Sequence, residues 1–235
     1  MSDRHHVEKR RLDSMLRSFF VLVVQRLPAI LLSLLGWGFD ALPAFFRNPP
    51  RCGLAPLLMI ATIVAVYLKL DLRPLRRGTT PAHNQSLQLA VLLLLSLFLL
   101  WFLPFADRRN ILTLQHDDWR YLGLLLCCIG VAVRLLALKA LGEFFSAYVT
   151  LQPNHRLVQD GIYGTIRNPL YLSLLLIPTG IALVFASVLA LPIFVLAALF
   201  VFDRIGKEER LLAEHFGSEF DHYRHSTRSL IPFVL

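Results

Sequence analysis

An apolar segment of 33 residues, from Leu170 to Phe202, contains no charged side chain and constrains the fold more than any other feature. As a single helix it would be about 50 Å long at 1.5 Å per residue. The hydrocarbon core of a bilayer is only about 30 Å thick. We therefore predict a helical hairpin that turns near residues 185–187 and has both of its ends on the same side of a membrane.

The composition of the chain indicates a membrane protein. Hydrophobic residues make up 56% of it and charged residues 17%, whereas soluble proteins are about 45–50% apolar and about 25% charged. The sequence predicts an all-α integral membrane protein with about five or six transmembrane helices. These include the C-terminal hairpin, which is followed by an amphipathic cytoplasmic helix. The other predicted helices are a first one within 19–46, then 54–70, 87–106 and 119–142.

The first apolar region, 19–46, is interrupted by Arg26, Pro28 and Asp40. It fits either a first membrane span or an amphipathic element that lies in the interface, and the sequence leaves both interpretations open. The two regions predicted on this basis are an N-terminal basic segment, 1–53, and a membrane core, 54–235.

Lysine and arginine are unevenly divided between the two sides of the predicted helices. If 19–46 crosses the membrane, about fifteen of them lie on one side and about four on the other. This excess predicts that both termini and the hairpin ends are cytoplasmic, in the cell inner membrane of a bacterium or the endoplasmic reticulum of a eukaryote. The net charge of +8 does not gather into one face with interleaved aromatic residues, so we predict membrane lipids and no nucleic acid as partners.

Two polar clusters fall on the predicted cytoplasmic side. One is the connection LQPNHRLVQDGIYGTIRNPLY at 151–171, and the other is DRIGKEER at 203–210. A hairpin brings these clusters together, because its arms are consecutive and antiparallel. Ionisable residues at a membrane edge are rare and usually functional, so we predict the site here.

The first cluster contains a motif with defined spacing: His155-x-Leu157-Val158-x-x-Gly161-x-Tyr163-x-x-x-Arg167-Asn168-Pro169-x-Tyr171. It resembles the signature of the isoprenylcysteine carboxyl methyltransferase family. As in that family, LGEFFS precedes it at 141–146, and an apolar hairpin, Glu208-Glu209 and FGSEFDHYRHSTRSLIP follow it. The resemblance covers roughly residues 120–235.

The resemblance implies that the region 141–235 binds S-adenosylmethionine and that a lipophilic methyl acceptor enters from the bilayer. The ammonium group of this cofactor requires a carboxylate. Glu208 is the best candidate, because Glu209 faces about 100° away on a helix. The complete set of expected cofactor contacts is Gln152, His155, Arg156, Leu157, Val158, Tyr163, Asn168, Pro169, Leu170, Tyr171, Glu208 and Glu209.

Three arginines are the candidates for catalysis and acceptor binding. Arg204 lies one helical turn before Glu208 and shares its face, and by the same resemblance it would bind the carboxylate of a prenylcysteine-like acceptor. Arg167 is a second catalytic candidate, and Arg134 is a further substrate contact. Because a carboxylate is already ionised at pH 7, methyl transfer to it needs positioning and desolvation but no general base. The alternative is that these arginines only anchor helices at the headgroups.

One position departs from the commonest form of the family, which has histidine where this chain has Asn168. Asparagine donates and accepts hydrogen bonds but does not titrate near neutral pH. It suffices if the position orients the cofactor, and it does not suffice if the position acts as a general base.

Other functions stay open at this level. The acceptor can instead be a phospholipid amine or a small thiol. Membrane sterol reductases resemble the C-terminal half as well, and they use NADPH. A non-catalytic scaffold is the third alternative. No metal is predicted, because no carboxylate–histidine arrangement accompanies His215, His222 and His225.

Overall fold

The computed structural model of the protein describes residues 28–67, 83–142 and 156–230, and in these ranges all regular secondary structure is helical. Two short 3-10 helices, Phe39–Ala41 and Gly161–Gly164, accompany the α-helices. The α-helices are α1 Pro28–Trp37, α2 Leu42–Phe46, α3 Pro49–Tyr67, α4 His83–Arg108, α5 Asp118–Leu141, α6 Pro169–Val184, α7 Ala190–Phe216 and α8 Ser218–Ser226.

Two of these helices are long and apolar enough to cross a membrane by themselves, which agrees with an integral membrane protein. They are α5 and the part of α4 from Ala90 to Arg108. The shorter apolar helices are α6 and the part of α3 from Pro49 to Val64. Length and composition thus identify two spans in the described ranges, or three if the bent N-terminal pair is one span. The total of five or six stays a prediction.

The N-terminal apolar region does not form a straight span within its described residues. α1 and the segment Phe39–Phe46 meet at an angle of 80°, and Gly38 lies at the bend with a φ of 95°. Asp40, which the sequence marks as an interruption, accepts hydrogen bonds from Arg108 at the end of α4. Arg108 also donates to the carbonyl oxygen of Trp37 at 2.6 Å. The bend is therefore attached to α4 by one guanidinium group.

The long apolar segment is divided between α6 and α7, and the residues between the two helices include the predicted turn at 185–187. Ala186 has a φ of 45°, and its carbonyl oxygen accepts a hydrogen bond from the amide of Leu114 at 2.6 Å. The amide of Val188 donates to the carbonyl oxygen of Leu112 at 2.8 Å. The loop between α4 and α5 thus holds the junction of α6 and α7.

The polar half of α7 corrects one detail of the sequence prediction. The amphipathic segment does not begin as a separate helix, because α7 continues from its apolar half without a break as far as Phe216. It ends at Gly217, which has a φ of 52°, a conformation that glycine adopts without a steric penalty. Only α8 is a separate helix after α7 in the described ranges.

α5 and α6 pack with almost no space between their backbones. A Cβ atom on Gly180 would lie 2.7 Å from the sulfur of Cys127, and a Cβ atom on Gly123 would lie 2.5 Å from the amide nitrogen of Val184. Small residues allow such a close approach between membrane helices. Gly142 differs: it ends α5 with a φ of 54°, and no atom of the described residues would lie within 4 Å of a Cβ atom placed on it.

We expect Gly180→Ala to lower the free energy of unfolding by about 1–3 kcal/mol, because a methyl group has no room between α5 and α6. Thermal unfolding in detergent measures the effect. Gly206→Ala is the matched control, since this helical glycine has open space at its Cβ position and alanine is the better helix former by about 1 kcal/mol. Equal melting temperatures for the two variants would contradict the packing.

A buried ion cluster joins four helices at the ends opposite to the polar motif. Asp107 of α4 is 3% exposed and binds two arginines, Arg51 of α3 at 2.8 Å and Arg120 of α5 at 2.7 Å. Arg120 also donates to the carbonyl oxygen of Val184 at the end of α6. Because two cations share this one buried carboxylate, its removal would leave both without their common partner.

Asp107→Asn should therefore destabilise the protein by about 3–5 kcal/mol, since it leaves buried arginine charge uncompensated. Asp117→Asn is the control: Asp117 also pairs with Arg120, but its side chain is 74% exposed, so we expect less than about 1 kcal/mol. Both values follow from unfolding in detergent. A similar loss of stability in the two variants would show that burial does not determine how much an ion pair with Arg120 contributes to stability.

Candidate functional site

The site lies where the start of α6, the polar half of α7 and the segment after α8 converge. The amide of Arg167 donates to the carbonyl oxygen of Arg228 at 2.8 Å, and the amide of Asn168 donates to that of Ser229 at 3.0 Å. The amide of Arg228 in turn donates to the carbonyl oxygen of Thr165 at 3.1 Å. This short parallel pairing holds the segment 227–230 against the residues that precede α6.

Asn168 connects three parts of this site. It precedes α6, whose first helical residue is the buried Pro169, a position where proline costs no hydrogen bond. The side chain of Asn168 does not cap the helix. Its amide nitrogen donates instead to Glu209 Oε1 at 3.0 Å and to Ser229 Oγ at 3.3 Å. The asparagine therefore orients a carboxylate of α7 and contacts the C-terminal segment at the same time.

Arg167 has a similar bridging arrangement. Its Nε atom donates to Glu209 Oε1 at 3.3 Å, and its Nη1 atom donates to the carbonyl oxygens of Arg224 and Thr227. One guanidinium group thus links the start of α6 to α7, α8 and the segment after α8. Each of these partners belongs to the protein framework around the site.

Glu208 and Glu209 are adjacent but have different partners. Tyr171 of α6 donates from its hydroxyl group to Glu208 Oε2 at 2.6 Å, and Arg204 Nε donates to the same Tyr171 hydroxyl at 3.3 Å. Glu209 is bound by Arg167 and Asn168. The two carboxylates therefore face different sides of α7, as the spacing of adjacent residues on a helix requires.

Burial dominates the electrostatics of Glu208. The removal of its carboxyl group from water raises its pKa, and the neighbouring charge of Glu209 adds to this. The hydrogen bond from Tyr171 and the charge of Arg204 oppose the increase. Arg204 is 6% exposed and Glu208 is half-buried, so the cation next to this carboxylate has little contact with water.

Two buried tyrosines, Tyr163 and Tyr223, hold the 3-10 helix Gly161–Gly164 beside Glu208. Tyr163 is 8% exposed, and its carbonyl oxygen accepts a hydrogen bond from the hydroxyl of Tyr223 in α8 at 2.8 Å. Burial is the main cause of a raised pKa in both tyrosines. Both hydroxyl groups therefore remain protonated at physiological pH.

The remaining predicted residues differ in exposure. Arg156 is exposed, whereas Leu157, Val158 and Leu170 are half-buried. Arg134 is half-buried on α5, two turns before that helix ends. The predicted contacts Gln152 and His155 lie outside the described residues.

The C-terminal segment contributes residues that sequence reasoning did not single out. Thr227 and Leu230 are buried, and Leu230 packs in a cluster with Tyr171, Leu175 and Val201. Ser229 contacts Asn168. The only signal for them was the general likeness of FGSEFDHYRHSTRSLIP to the family, which does not indicate what each residue contacts.

Arg167→Gln should loosen the segment 227–230, because the variant loses a charged partner of Glu209 and of two carbonyl oxygens, each worth about 1.5–3 kcal/mol. Hydrogen exchange of the peptide covering 224–230 should become at least about tenfold faster. Arg210→Gln on the exposed face of α7 is the control and should leave exchange unchanged. Unchanged exchange in both variants would contradict this role of Arg167.

Comparison with known proteins first gives a family match over part of the chain. Residues 119–219 match the family described as phospholipid methyltransferase. The chain can also be superposed on the solved structure of the eukaryotic intramembrane Ras methyltransferase named isoprenylcysteine carboxyl methyltransferase. That match covers 95% of this chain and 94% of the other, with a TM-score of 0.50 and 20% identity. At this identity the likeness shows the fold alone.

More particular relatives are curated proteins named protein-S-isoprenylcysteine O-methyltransferase. The Saccharomyces cerevisiae protein is 34% identical over 116 residues, which are 48% of this chain and 48% of the yeast protein. A probable member from Oryza sativa subsp. indica is 30% identical over 117 residues, 48% of this chain and 61% of the rice protein. The resemblance predicted from the motif is confirmed, and the chain spans about half to three fifths of the length of these relatives.

Proposed function

We propose that the protein is an integral membrane methyltransferase that uses S-adenosylmethionine to methylate the carboxylate of a lipophilic, prenylcysteine-like acceptor. The observation that carries this proposal is the arrangement of Glu208, Tyr171 and Arg204 where the apolar half of α7 passes into its polar half. The family match of residues 119–219 and the names of the relatives support the same activity.

The residues present fit the proposed methyl donor. Glu208 accepts one hydrogen bond from Tyr171, and a carboxylate has about four acceptor sites, so it retains capacity for an ammonium group. Burial destabilises its charge, and a bound cation would compensate for that cost. When bound, S-adenosylmethionine supplies an electrophilic methyl group on its sulfonium. Glu208 would hold the donor by its ammonium group.

Arg204 is the proposed contact for the acceptor carboxylate. It is buried, lies 5.7 Å from the centre of the Phe200 ring, and is oriented by the Tyr171 hydroxyl. A guanidinium group in such an environment binds a carboxylate strongly, because little water competes. Since the acceptor is already ionised, the protein needs to position it and exclude water, and no residue has to remove a proton.

Arg167 and Asn168 would be positioning residues in this enzyme. Arg167 donates to Glu209 and to backbone carbonyl oxygens, which suits a residue that holds the C-terminal segment against α6 and α7. Asn168 donates to Glu209, which suits a residue that orients the site. The asparagine is therefore compatible with methyl transfer to a carboxylate, a reaction that requires no base at this position.

The membrane arrangement belongs to the same proposal. We infer about five or six spans, with α6 and the apolar half of α7 forming the last pair and with a cytoplasmic site and termini. The Asp107 cluster would then face the opposite side. The boundary between the regions 1–53 and 54–235 falls within α3, so this helix would connect the two regions.

A binding experiment tests the cofactor. Purified protein should bind S-adenosylmethionine, and Glu208→Gln should weaken binding by about ten- to a hundredfold, since a charged hydrogen bond is worth about 1.5–3 kcal/mol. Glu214→Gln, at an exposed position of the same helix, should bind normally. Isothermal titration calorimetry in detergent gives the affinities, and NADPH should not bind.

Transfer of radiolabelled methyl groups to membrane extracts, followed by identification of the product, then distinguishes an ester from a methylated phospholipid amine or thiol. Folded wild-type protein without affinity for the donor would reject the proposed function. Labelled amine as the main product would reject the acceptor and retain the methyltransferase.

Donor affinity should also depend on pH through Glu208. Because burial raises the pKa of this carboxyl group, part of the population is protonated in acid and cannot hold an ammonium group. Affinity should rise with pH as Glu208 ionises and then level off. Tyr171→Phe removes a hydrogen bond that lowers this pKa, so the midpoint should move to higher pH in calorimetric titrations. A flat pH profile would argue against Glu208 as the ligand of the ammonium group.

A further inference from the structure

A polar cavity of about 300 Å³ lies beside the site, on the side of Arg167 that faces α8. Its charges are mostly positive, because three arginines and one aspartate line it, together with a histidine. The residues that line it are Arg167, Asp221, Arg224, His225, Thr227, Arg228 and Ser229.

Two cations of this cavity are not neutralised by the part of the chain that the structure describes. The side chains of Arg224 and Arg228 are exposed and form no hydrogen bond or ion pair with any of the described residues. Their backbone is nevertheless fixed, since the carbonyl oxygen of Arg224 accepts from Arg167 and the amide of Arg228 donates to Thr165. The cavity therefore presents guanidinium groups on a preformed wall, which is the arrangement that favours a phosphate.

The position of the cavity favours a lipid headgroup as the source of such a phosphate. α7 continues past the end of the apolar segment at Phe202. The chain after α8 then returns to the start of α6, where Leu230 packs against Tyr171 and Leu175. Arg228 and Arg167 thus lie next to the residue at which the apolar segment begins. Basic side chains immediately outside a membrane helix attract anionic lipid headgroups, and a volume of about 300 Å³ accommodates a small ligand group.

We propose that this cavity binds the phosphate of an anionic phospholipid headgroup. The site is separate from the Glu208 group, and its occupation does not require the methyl donor. Arg224 and Arg228 would provide the main contacts, with Arg167 at the inner end. Asp221 would oppose binding, because it places a negative charge on the cavity wall.

Native mass spectrometry in an uncharged detergent tests the proposal without cofactor or acceptor. Dihexanoyl phosphatidylglycerol should bind at least about tenfold more tightly than dihexanoyl phosphatidylcholine. The double variant Arg224→Gln/Arg228→Gln should lose about tenfold in affinity for the anionic lipid, whereas Arg47→Gln/Arg210→Gln removes two exposed arginines elsewhere and should lose less than about twofold. Asp221→Asn should bind about threefold more tightly.

Three results would overturn the assignment. The first is equal binding of the anionic and the zwitterionic lipid. The second is an equal loss of affinity in the two double variants, which would indicate attraction by net charge alone. The third is binding of glycerol 3-phosphate as tight as that of the lipid, which would identify a soluble phosphate compound as the ligand. Circular dichroism of each variant verifies that the helices are intact.

Discussion

The close contact between α5 and α6 is the constraint on which the rest of the described structure depends. Gly123 and Gly180 allow the two backbones to approach, and this fixes both ends of the pair. At one end Arg120 of α5 reaches the last carbonyl of α6 and the buried Asp107. At the other end the start of α6 presents Arg167 and Asn168 to α7. A change in the spacing of these helices would therefore disturb the ion cluster and the candidate site together.

The adjacent glutamates have different partners, and in the proposed enzyme they would have different tasks. Glu209 is occupied by Arg167 and Asn168, so its charge stabilises the framework. Glu208 has one neutral donor, Tyr171, and a nearby arginine, so its charge is less well compensated. A partly buried carboxylate whose charge is incompletely compensated is suited to a cationic ligand. In the proposed enzyme, Glu209 would stabilise the framework, and Glu208 would therefore remain available to bind the ammonium group of the donor.

The sequence was informative where a contact is local or where a residue type has few uses. The common face of Arg204 and Glu208 and the break between α6 and α7 both follow from short-range geometry. Contacts between residues that are distant in the sequence could not be predicted in this way. Neither the pairing of Asn168 with Glu209 nor the sharing of Asp107 by two arginines has a local signal, and the bend at Gly38 depends on Arg108 of a later helix.

The parallel pairing of Arg167 and Asn168 with residues 228 and 229 also determines the order of assembly. Those partners follow every described helix in the chain, so a ribosome makes them after the segments that enter the bilayer. Domains generally begin to fold from the part that is synthesised first. The candidate site is therefore completed late in synthesis, because a nascent chain halted before residue 227 lacks the segment that pairs with Arg167 and Asn168.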